Sequence, residues 1–458
     1  MRNMARRLRR RLTLLFMAAA VTLCLTYSSL PLESPARLAV KFNVARLWNY
    51  MGSRHRDDWL HKPARFHLDL RSDVGYLIKT GYGTRHRLPE QLEALKRSGP
   101  LLGDEGRGFL VVGDWTSVND TDARLLGVQV HDALRIVTDR YTATQHPRLT
   151  KYKSLQAIIA AGDEERAKHV GQTYGWELDA LKFMVAMELG YKQLPHKKWY
   201  MILDDDTFIV RPSLELLLSH LDPDRCHYTG NAVGDYKARF AHGGSAVLLS
   251  GAALRALFDR PDVVDWAYRQ SLDETWGDRL VASTLHRIGV YLDERYSHYF
   301  NGEQPHLTRI RADRVCSPIV SFHGLRDRGS MAAAGRALGS IKKPVLWGHL
   351  WDLLAAQPLD AFARAPFKPG DHVGPSDKEQ DGRMRTWTGV GDGDECSRRC
   401  ARAGAQCLAW TFNAYTNECR ASPWLVVGRG QGSGHGQVVS GINLKRVEPM
   451  VRQCIVSL

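Results

Sequence analysis

The chain has 458 residues, of which 44% are hydrophobic and 24% charged, a normal composition for a globular protein of two or three domains. The formal net charge is +14, but six arginines lie within the first eleven residues, so the rest of the chain is only moderately basic. This distribution argues against a nucleic-acid partner. The remaining positive charge suits anionic partners such as a nucleotide diphosphate or a lipid surface.

The N-terminal region has the pattern of a membrane anchor. Residues 12–30 contain no charged side chain and are long enough to cross a bilayer. Because arginines precede this stretch, we predict a cytoplasmic tail at residues 1–11, a signal anchor at 12–30 and a lumenal body. The alternative is a cleaved signal peptide. Both interpretations place the body in an oxidising compartment.

Beyond a polar, irregular segment at residues 31–70, which we predict to be a stem, strands and helices alternate. The expected strands are 73–80, 108–114, 199–203, 245–249 and 316–323, and the expected helices are 88–95, 177–190, 212–221, 250–257 and 278–288. This alternation predicts an α/β domain over residues 71–357. A segment rich in proline and glycine at 358–385 is predicted to be a linker to a small cysteine-rich module at 386–458.

The most informative residues are three consecutive carboxylates, Asp204, Asp205 and Asp206, at the end of an apolar strand. Adjacent carboxylates repel one another and are costly to desolvate, and a divalent cation removes that conflict. Side chains alternate along an extended segment, so Asp204 and Asp206 are expected on one side and Asp205 on the other. The pattern predicts a metal–phosphate site where the strand ends.

Other polar features occur along the same domain: the pair Gly243-Gly244 before a strand, Asp273 and Glu274 before a helix, and His323 at the end of the apolar segment Cys316-Ser-Pro-Ile-Val-Ser-Phe-His323. Taken singly, a glycine pair usually marks a turn, acids before a helix usually cap it, and a lone histidine is usually structural. Their order along one α/β domain is more informative than any of them alone.

That order resembles glycosyltransferase family 31, the lumenal β1,3-transferases that include the Fringe proteins and core 1 galactosyltransferase. The resemblance runs from about residue 73 to residue 325 and is carried by Lys79-Thr80, Asp114, Asp204-Asp-Asp206, Gly243-Gly244, the Asp273 region and Ser321-Phe-His323. It implies a GT-A-type nucleotide-sugar-binding fold with a mixed central sheet. It also implies a UDP-sugar donor, Mn²⁺ or another divalent cation, and inverting transfer to a glycan hydroxyl.

The resemblance further implies roles for individual residues. The implied metal ligands are Asp204, Asp206 and His323, and the implied nucleotide-sugar-binding residues are Thr80, Asp114, Asp204, Asp205, Gly243 and Gly244. The family's catalytic base corresponds to Asp273, with Glu274 as its competitor and Asp278 as a further possibility. Trp276 is expected either to stack on a sugar ring or to lie in the core.

The C-terminal module contains Cys396, Cys400, Cys407 and Cys419. Behind a membrane anchor such a cluster indicates disulfides rather than zinc. Asp394-Glu-Cys-Ser-Arg-Arg-Cys400, Cys407-Leu-Ala-Trp-Thr-Phe412 and Asn417-Glu-Cys-Arg420 resemble segments of PAN/Apple modules, small α+β domains that bind glycan or protein. The resemblance implies the pairs Cys396–Cys419 and Cys400–Cys407. The module either holds an acceptor glycan or is a structural appendage.

Three further cysteines follow the anchor. Cys226 and Cys316 are a candidate pair, and Cys454 is expected to be free or intermolecular. Asn119-Asp-Thr121 is a sequon for N-glycosylation of Asn119.

We therefore expect a single-pass type II Golgi membrane protein that transfers a hexose or N-acetylhexosamine from a UDP-sugar to a glycan or glycoprotein, with a β1,3 linkage as the family default. A homodimer is left open. The alternative is a non-catalytic membrane protein that binds glycan or protein through its PAN-like module. A metal-dependent phosphotransferase is less favoured, because the chain has neither a GxxxxGK[ST] loop nor a kinase motif set.

Overall fold

The computed structural model describes residues 2–52, 57–97, 108–117, 128–141, 145–375, 382–428 and 438–454, with side chains from residue 11 onward. The α-helices are α1 (Arg2–Ser29), α2 (Pro35–Met51), α3 (Leu70–Asp73), α4 (Leu88–Arg97), α5 (Ala133–Arg140), α6 (Pro147–Ala160), α7 (Glu164–Asp179), α8 (Lys182–Gln193), α9 (Arg211–Leu218), α10 (Gly251–Phe258), α11 (Pro261–Ser271), α12 (Gly277–Arg287), α13 (Ser330–Leu338), α14 (Leu350–Leu354), α15 (Ala361–Arg364), α16 (Gly393–Ala403) and α17 (Leu444–Arg452). The strands are β1 (Val74–Lys79), β2 (Phe109–Gly113), β3 (Val130–Asp132), β4 (Trp199–Asp204), β5 (Phe208–Ile209), β6 (Tyr228–Gly230), β7 (Ala232–Val233), β8 (Phe240–Ala241), β9 (Val247–Ser250), β10 (Ile310–Arg311), β11 (Ser321–Phe322), β12 (Phe367–Pro369), β13 (Arg385–Thr388), β14 (Ala409–Asn413), β15 (Glu418–Ser422), β16 (Trp424–Leu425) and β17 (Val438–Ile442).

A six-stranded mixed sheet with the order β3-β2-β1-β4-β9-β6 lies at the centre of the α/β domain. Strands β3, β2, β1 and β4 run parallel, whereas β9 pairs antiparallel with both β4 and β6. All of β1 and the first five residues of β4 are buried, as expected for apolar strands with helices on both faces. The predicted α/β class with a mixed central sheet is therefore confirmed.

The strand pairing brings distant polar residues to one edge of this sheet. Lys79, the last residue of β1, lies in register with Asp204, the last residue of β4. Just beyond this edge, β5 pairs antiparallel with β11, so that Phe208 lies opposite Phe322. The residues that follow β4 and β11, Asp206 and His323, are thereby brought close together.

Two expected elements near this edge differ from the prediction. The helix predicted over 177–190 is divided, because α7 ends at Asp179 and α8 begins at Lys182. The division lets both residues turn their side chains toward the ends of the strands. The strand expected over 316–323 is reduced to β11, and Pro318, which has no backbone N–H to donate, makes only an isolated bridge to Leu346.

The segment predicted to be an irregular stem contains a helix of 17 residues, α2. Ser34 caps it by accepting a hydrogen bond from the Arg37 N–H, and Pro35 occupies its first position, where no N–H is needed. The helix is attached to the α/β domain, since the Tyr291 hydroxyl donates to the Leu32 carbonyl and Glu33 pairs with Arg287. The prediction that this segment is irregular is therefore wrong for Pro35–Met51.

The predicted linker also carries structure. Strand β12 from this segment pairs with β17 and completes a five-stranded antiparallel sheet in the order β12-β17-β14-β15-β13. Helix α16 packs on this sheet and is joined to it by two disulfides, Cys396–Cys419 and Cys400–Cys407. These are the two pairs that the resemblance to PAN/Apple modules implies.

The module and the α/β domain share a hydrophobic core. Phe322 and Trp347 of the α/β domain belong to the same buried cluster as Leu408 and Val447 of the module. A third disulfide, Cys316–Cys454, crosses the boundary. The candidate pair Cys226–Cys316 is therefore wrong, as is the expectation that Cys454 is free or intermolecular, because the packing of α17 brings Cys454 to Cys316 and leaves Cys226 exposed as a thiol.

At the N-terminus, α1 contains a stretch, Arg11–Ser29, that is long and apolar enough to cross a membrane by length and composition. The predicted glycosylation site, Asn119, lies outside the described residues.

Candidate functional site

Asp206 is at the centre of the site and is held by two basic side chains. Its Oδ1 lies 3.2 Å from His323 Nε2, and its Oδ2 accepts a hydrogen bond of 2.7 Å from Arg326 Nε. Its backbone carbonyl accepts from the Leu325 N–H. Burial alone raises the pKa of the Asp206 carboxyl, but the hydrogen bonds and charges of His323 and Arg326 outweigh burial and hold it well below its usual range.

Asp204 lies beside Asp206 in a different environment. Its Oδ1 is 2.8 Å from the buried ammonium of Lys79, which also binds Asp179 at 2.7 Å. The contact with Lys79 is close but poorly aligned, so Asp204 Oδ1 is a buried oxygen without a hydrogen bond. Such an oxygen can still accept a ligand.

Asp204, Asp206 and His323 together form a group that can hold a metal ion. One ligand atom from each residue lies within 4.8 Å of the other two. Two carboxylates and an imidazole suit Mn²⁺ and related divalent cations, and Asp204 Oδ1, which contacts Lys79 without a hydrogen bond, fits the same role. The geometry thus brings together the three residues that the sequence indicates as metal ligands.

Asp205 points to the other side, as the alternation of side chains predicts. Its Oδ2 accepts hydrogen bonds from the hydroxyls of Thr80 and Thr84, and its Oδ1 lies 3.4 Å from Arg87 Nη1. Burial, with a smaller contribution from Asp206, raises the pKa of Asp205 to about 6. In the structure Asp205 therefore fixes the turn after β1 and does not face the metal ligands.

The other two residues expected on the nucleotide side are also engaged within the protein. Thr80 donates to Asp205, as described above. Asp114 is fully buried, accepts from the Tyr82 N–H and lies 3.2 Å from the ammonium of Lys182. That ammonium also donates to the Thr80 carbonyl. Thr80 and Asp114 thus form a polar network that supports the ends of β1 and β2.

A cavity of about 390 Å³ opens beside the metal-ligating group. Its polar lining includes Asp204, His242, Asp278, His323 and Arg326. His242 packs edge-on against His323, with ring centroids 5.2 Å apart. Burial and the neighbouring His323 lower the pKa of His242 to about 4, so this imidazole is neutral at physiological pH. The cavity is large enough for a monosaccharide, and its lining combines ionisable groups with aromatic rings and glycines.

Gly243 and Gly244 form the turn that leads from the cavity into β9. A Cβ atom at Gly244 would lie 2.2 Å from His323 Nε2, so no other residue fits there while the imidazole keeps its position. The Gly243 N–H donates a 2.8 Å hydrogen bond to Asp278 Oδ2. The glycine pair therefore permits a close approach of backbone to the site.

Among the acids near α12, Asp278 faces the cavity. Burial raises the pKa of its carboxyl to about 6. The two bases that the sequence indicates are placed elsewhere. Asp273 is 80% exposed and pairs with His146. Glu274 binds Arg279, and its carboxylate accepts hydrogen bonds from the N–H groups of Thr275 and Trp276, just before α12. Neither lines the cavity.

Two exposed tryptophans border the cavity. Trp276 is 43% exposed and Trp176, at the end of α7, is 62% exposed. The sequence left Trp276 undecided between stacking and burial, and the structure places it at the cavity. The sequence gave no signal for Trp176, because the contact of this side chain with the site depends on how α7 packs.

Sequence reasoning also missed several ionisable members of the site. These are Lys79, Asp179, His242 and Arg326. Lys79 had a recognisable signal, since a lysine that ends an otherwise apolar, buried strand needs an acidic partner. The other three are positioned by loops and helix ends whose packing is not encoded in a local pattern.

Comparison with known proteins does not identify a family. No protein-family model matches the chain, and no curated protein matches it either. Any functional assignment must therefore rest on the chemistry of these residues and on their geometry.

Proposed function

We propose that this protein is a metal-dependent glycosyltransferase that moves a sugar from a UDP-sugar to a hydroxyl group of a glycan. The observation that carries the proposal is the group formed by Asp204, Asp206 and His323 at the end of the central sheet, beside a cavity that contains a further buried acid. Ligands at the carboxyl ends of parallel strands are the common arrangement in α/β proteins.

Asp204, Asp206 and His323 would hold the cation, with Mn²⁺ as the expected ion. When bound, it would offset the negative charge of the diphosphate. Arg326 is 60% exposed on the cavity side, although it binds Asp206, and its remaining guanidinium N–H groups suit a phosphate oxygen. These residues therefore define the donor side of the proposed site.

Asp278 is the proposed general base. Its raised pKa, about 6, matches a group that must accept a proton near neutral pH. The acceptor O–H gives its proton to the Asp278 carboxylate while the acceptor oxygen bonds to the anomeric carbon. The bond from that carbon to the phosphate oxygen breaks, and its electron pair leaves with the UDP. A single displacement of this kind inverts the anomeric configuration.

Trp176 and Trp276 are the proposed platforms for the sugars. Both present aromatic surface to solvent at the rim of the cavity. An aromatic ring can cover the apolar face of a pyranose while hydroxyl groups point to polar residues. Such positions would orient an acceptor toward Asp278.

The finer assignments extend this proposal. The mixed sheet and the site at its edge support a GT-A-type fold of the family 31 kind, and the β1,3 linkage is the default of that family. The helix joined by disulfides to a five-stranded sheet supports a PAN/Apple-like module. The span of α1 supports a type II Golgi membrane protein with a lumenal catalytic domain.

The test is to assay the full-length chain in detergent with a panel of UDP-sugars, glycan acceptors and Mn²⁺. We expect release of UDP from at least one donor, loss of that activity with a chelator, and a product with the inverted anomeric configuration. A folded protein that neither turns over any donor nor binds UDP in a Mn²⁺-dependent manner would contradict the proposal. That result is what a non-catalytic membrane protein acting through its PAN-like module predicts.

A further inference from the structure

Helix α2 has two different apolar faces. On one face Val40, Val44, Leu47 and Met51 follow one another at intervals of four, three and four residues, and each is between 45% and 58% exposed. At 100° per residue these four side chains fall within about 60° of one another, so they form a single stripe. A stripe of this size on the surface of a water-soluble domain requires a partner.

The opposite face of α2 is turned toward the α/β domain. Leu38, Phe42 and Ala45 are half-buried and line a cavity between the helix and the domain. The guanidinium of Arg239 lies over the Phe42 ring, and the ammonium of Lys41 lies over the Tyr291 ring. Because this face fixes how the helix is rotated, Val40, Leu47 and Met51 face away from the domain, and Val44 lies at the edge of the cavity.

The start of α2 is joined to the end of the candidate membrane span. Arg37 Nη2 donates hydrogen bonds of 2.8 and 2.9 Å to the carbonyls of Tyr27 and Ser28, in the last turn of α1. Only residues 30–34 separate the two helices. The first turn of α2 therefore lies where α1 would leave the bilayer, and long basic side chains such as Arg37 are favoured at that level.

We infer that the exposed stripe of α2 docks on the lumenal surface of the same membrane that α1 spans. The residues beside the stripe suit this position, since Trp48 and Tyr50 are highly exposed aromatics. Aromatic side chains are enriched at the level of the membrane–water interface. Helix α2 then holds the α/β domain against the bilayer. The inference depends on α1 as a span and not on the proposed transferase activity.

A second copy of the chain is the competing occupant. Intervals of four, three and four residues also occur in the seam of a coiled coil. However, the seam here has only four positions, whereas a coiled coil usually needs three or four heptads. The large Trp48 side chain also flanks the stripe. A lipid surface tolerates such a short stripe, with a tryptophan beside it, better than a helical partner does.

The test places a nitroxide label in the stripe of the full-length protein, reconstituted in phosphatidylcholine vesicles. The label is attached to Leu47→Cys after the two free cysteines, Cys24 and Cys226, are replaced by serine, which leaves the three disulfides intact. Collision rates with oxygen, which partitions into lipid, and with a water-soluble nickel chelate are then measured. Tyr415→Cys in the module, where the side chain is 82% exposed, is the matched control in water.

We expect the ratio of oxygen to nickel collisions to be several-fold higher at position 47 than at position 415. Equal ratios would overturn the inference, because the stripe would then face water. Magnetic dipolar broadening between labels at position 47 would also overturn it, in favour of a second copy. A label at Met51→Cys repeats the measurement, and thermal unfolding by circular dichroism verifies that each labelled protein is folded.

Discussion

Two carboxylates, Asp371 in the C-terminal module and Asp204 in the α/β domain, differ in the hydrogen bonds that their oxygens accept. In the C-terminal module, Asp371 accepts hydrogen bonds from the N–H groups of Val373 and Gly374, from the Thr411 hydroxyl and from Arg420. In the α/β domain, Asp204 Oδ1 is buried and has no hydrogen bond, although Lys79 is close.

The comparison distinguishes Asp371, whose oxygens are satisfied by hydrogen bonds from the protein, from Asp204, whose buried Oδ1 accepts no hydrogen bond. The donors around Asp371 come from its own loop and sheet, so the protein itself satisfies the oxygens of this partly exposed carboxylate. Asp204 and Asp206 lie close together, and although His323 and Arg326 compensate Asp206, the buried Asp204 Oδ1 has an ion pair but no hydrogen bond. Such incomplete compensation beside a cavity is typical of binding and catalytic sites.

The different roles of the two acidic clusters can be tested by neutralising one acid in each half of the molecule. We expect Asp206→Asn to lower donor turnover by at least ~10³-fold, because a ligand charge that offsets the diphosphate is lost, and to lower the melting temperature as well, because His323 and Arg326 lose their buried partner. The matched variant Asp371→Asn should keep activity and lose about 1–3 kcal/mol of stability. Steady-state kinetics and thermal unfolding of both proteins decide the matter. The reverse pattern of activity would show that the two acids are wrongly assigned.

The base assignment can be tested in the same way within the α/β domain. We expect Asp278→Asn to lower the rate of transfer by ~10²–10³-fold, because no group remains to accept the acceptor proton. Donor binding measured by calorimetry with UDP and Mn²⁺ should be retained. Asp273→Asn, which alters an exposed acid, serves as the control and should remain near wild type. Loss of activity in Asp273→Asn alone would return the role to that residue.

The boundary between the halves offers a test of stability. Removing the crossing disulfide with Cys316→Ser should cost about 2–4 kcal/mol, since the bond closes a loop whose ends are 138 residues apart. Cys226→Ser, which replaces an exposed free thiol, should leave stability unchanged. Chemical denaturation of the two variants provides the measurement. Equal stability of both would mean that the shared core alone holds the halves together.

The stability of the folded protein should depend on pH because the pKa of Asp278 is raised. The Asp278 carboxyl has a pKa of about 6 in the folded protein, against a usual value of 3.8. Between these pH values the unfolded chain has lost the proton that the folded protein keeps, so stability falls as the pH rises. The penalty is absent below pH ~4 and complete above pH ~6, at roughly 2–3 kcal/mol.

This penalty can be isolated by comparing wild type with Asp278→Asn in the presence of a chelator. We expect the variant to gain stability over wild type as the pH rises from ~4 to ~6, with a plateau above that range. Thermal unfolding at closely spaced pH values records the difference. A difference that does not depend on pH would contradict the raised pKa of Asp278.

A more modest change, in the affinity for Mn²⁺, is expected from a substitution in the turn formed by Gly243 and Gly244. Gly244→Ala would place a Cβ against the His323 imidazole and should weaken Mn²⁺ binding by ~10–100-fold through displacement of that ring. Gly175→Ala is the control, because a Cβ there meets no atom within 4 Å. Titration of both variants with Mn²⁺ gives the two affinities. Unchanged affinity in Gly244→Ala would argue against His323 as a ligand.

Local sequence patterns anticipated the parts of the site that depend on a single strand. The apolar run before Asp204 predicts β4, and the alternation of side chains separates Asp205 from Asp204 and Asp206. His323 was connected to them through the resemblance to family 31. These predictions succeed because a strand fixes the directions of its own side chains without further information.

The remaining features depend on packing between distant segments. Asp278 rather than Asp273 reaches the cavity because α12 begins at Gly277, and a shift of the helix start by a few residues changes which acid faces inward. Helix α2 was missed because apolar residues on two faces leave no single amphipathic pattern. The pairing of Cys316 with Cys454 requires the docking of α17, which no local signal records.

The crossing disulfide has a consequence for the order of assembly. Cys316 begins the segment that ends in His323, yet its partner is synthesised 138 residues later. A chain interrupted before Cys454 would lack this covalent connection, and the segment leading to His323 would then be held by the pairing of β11 with β5 and by its packing.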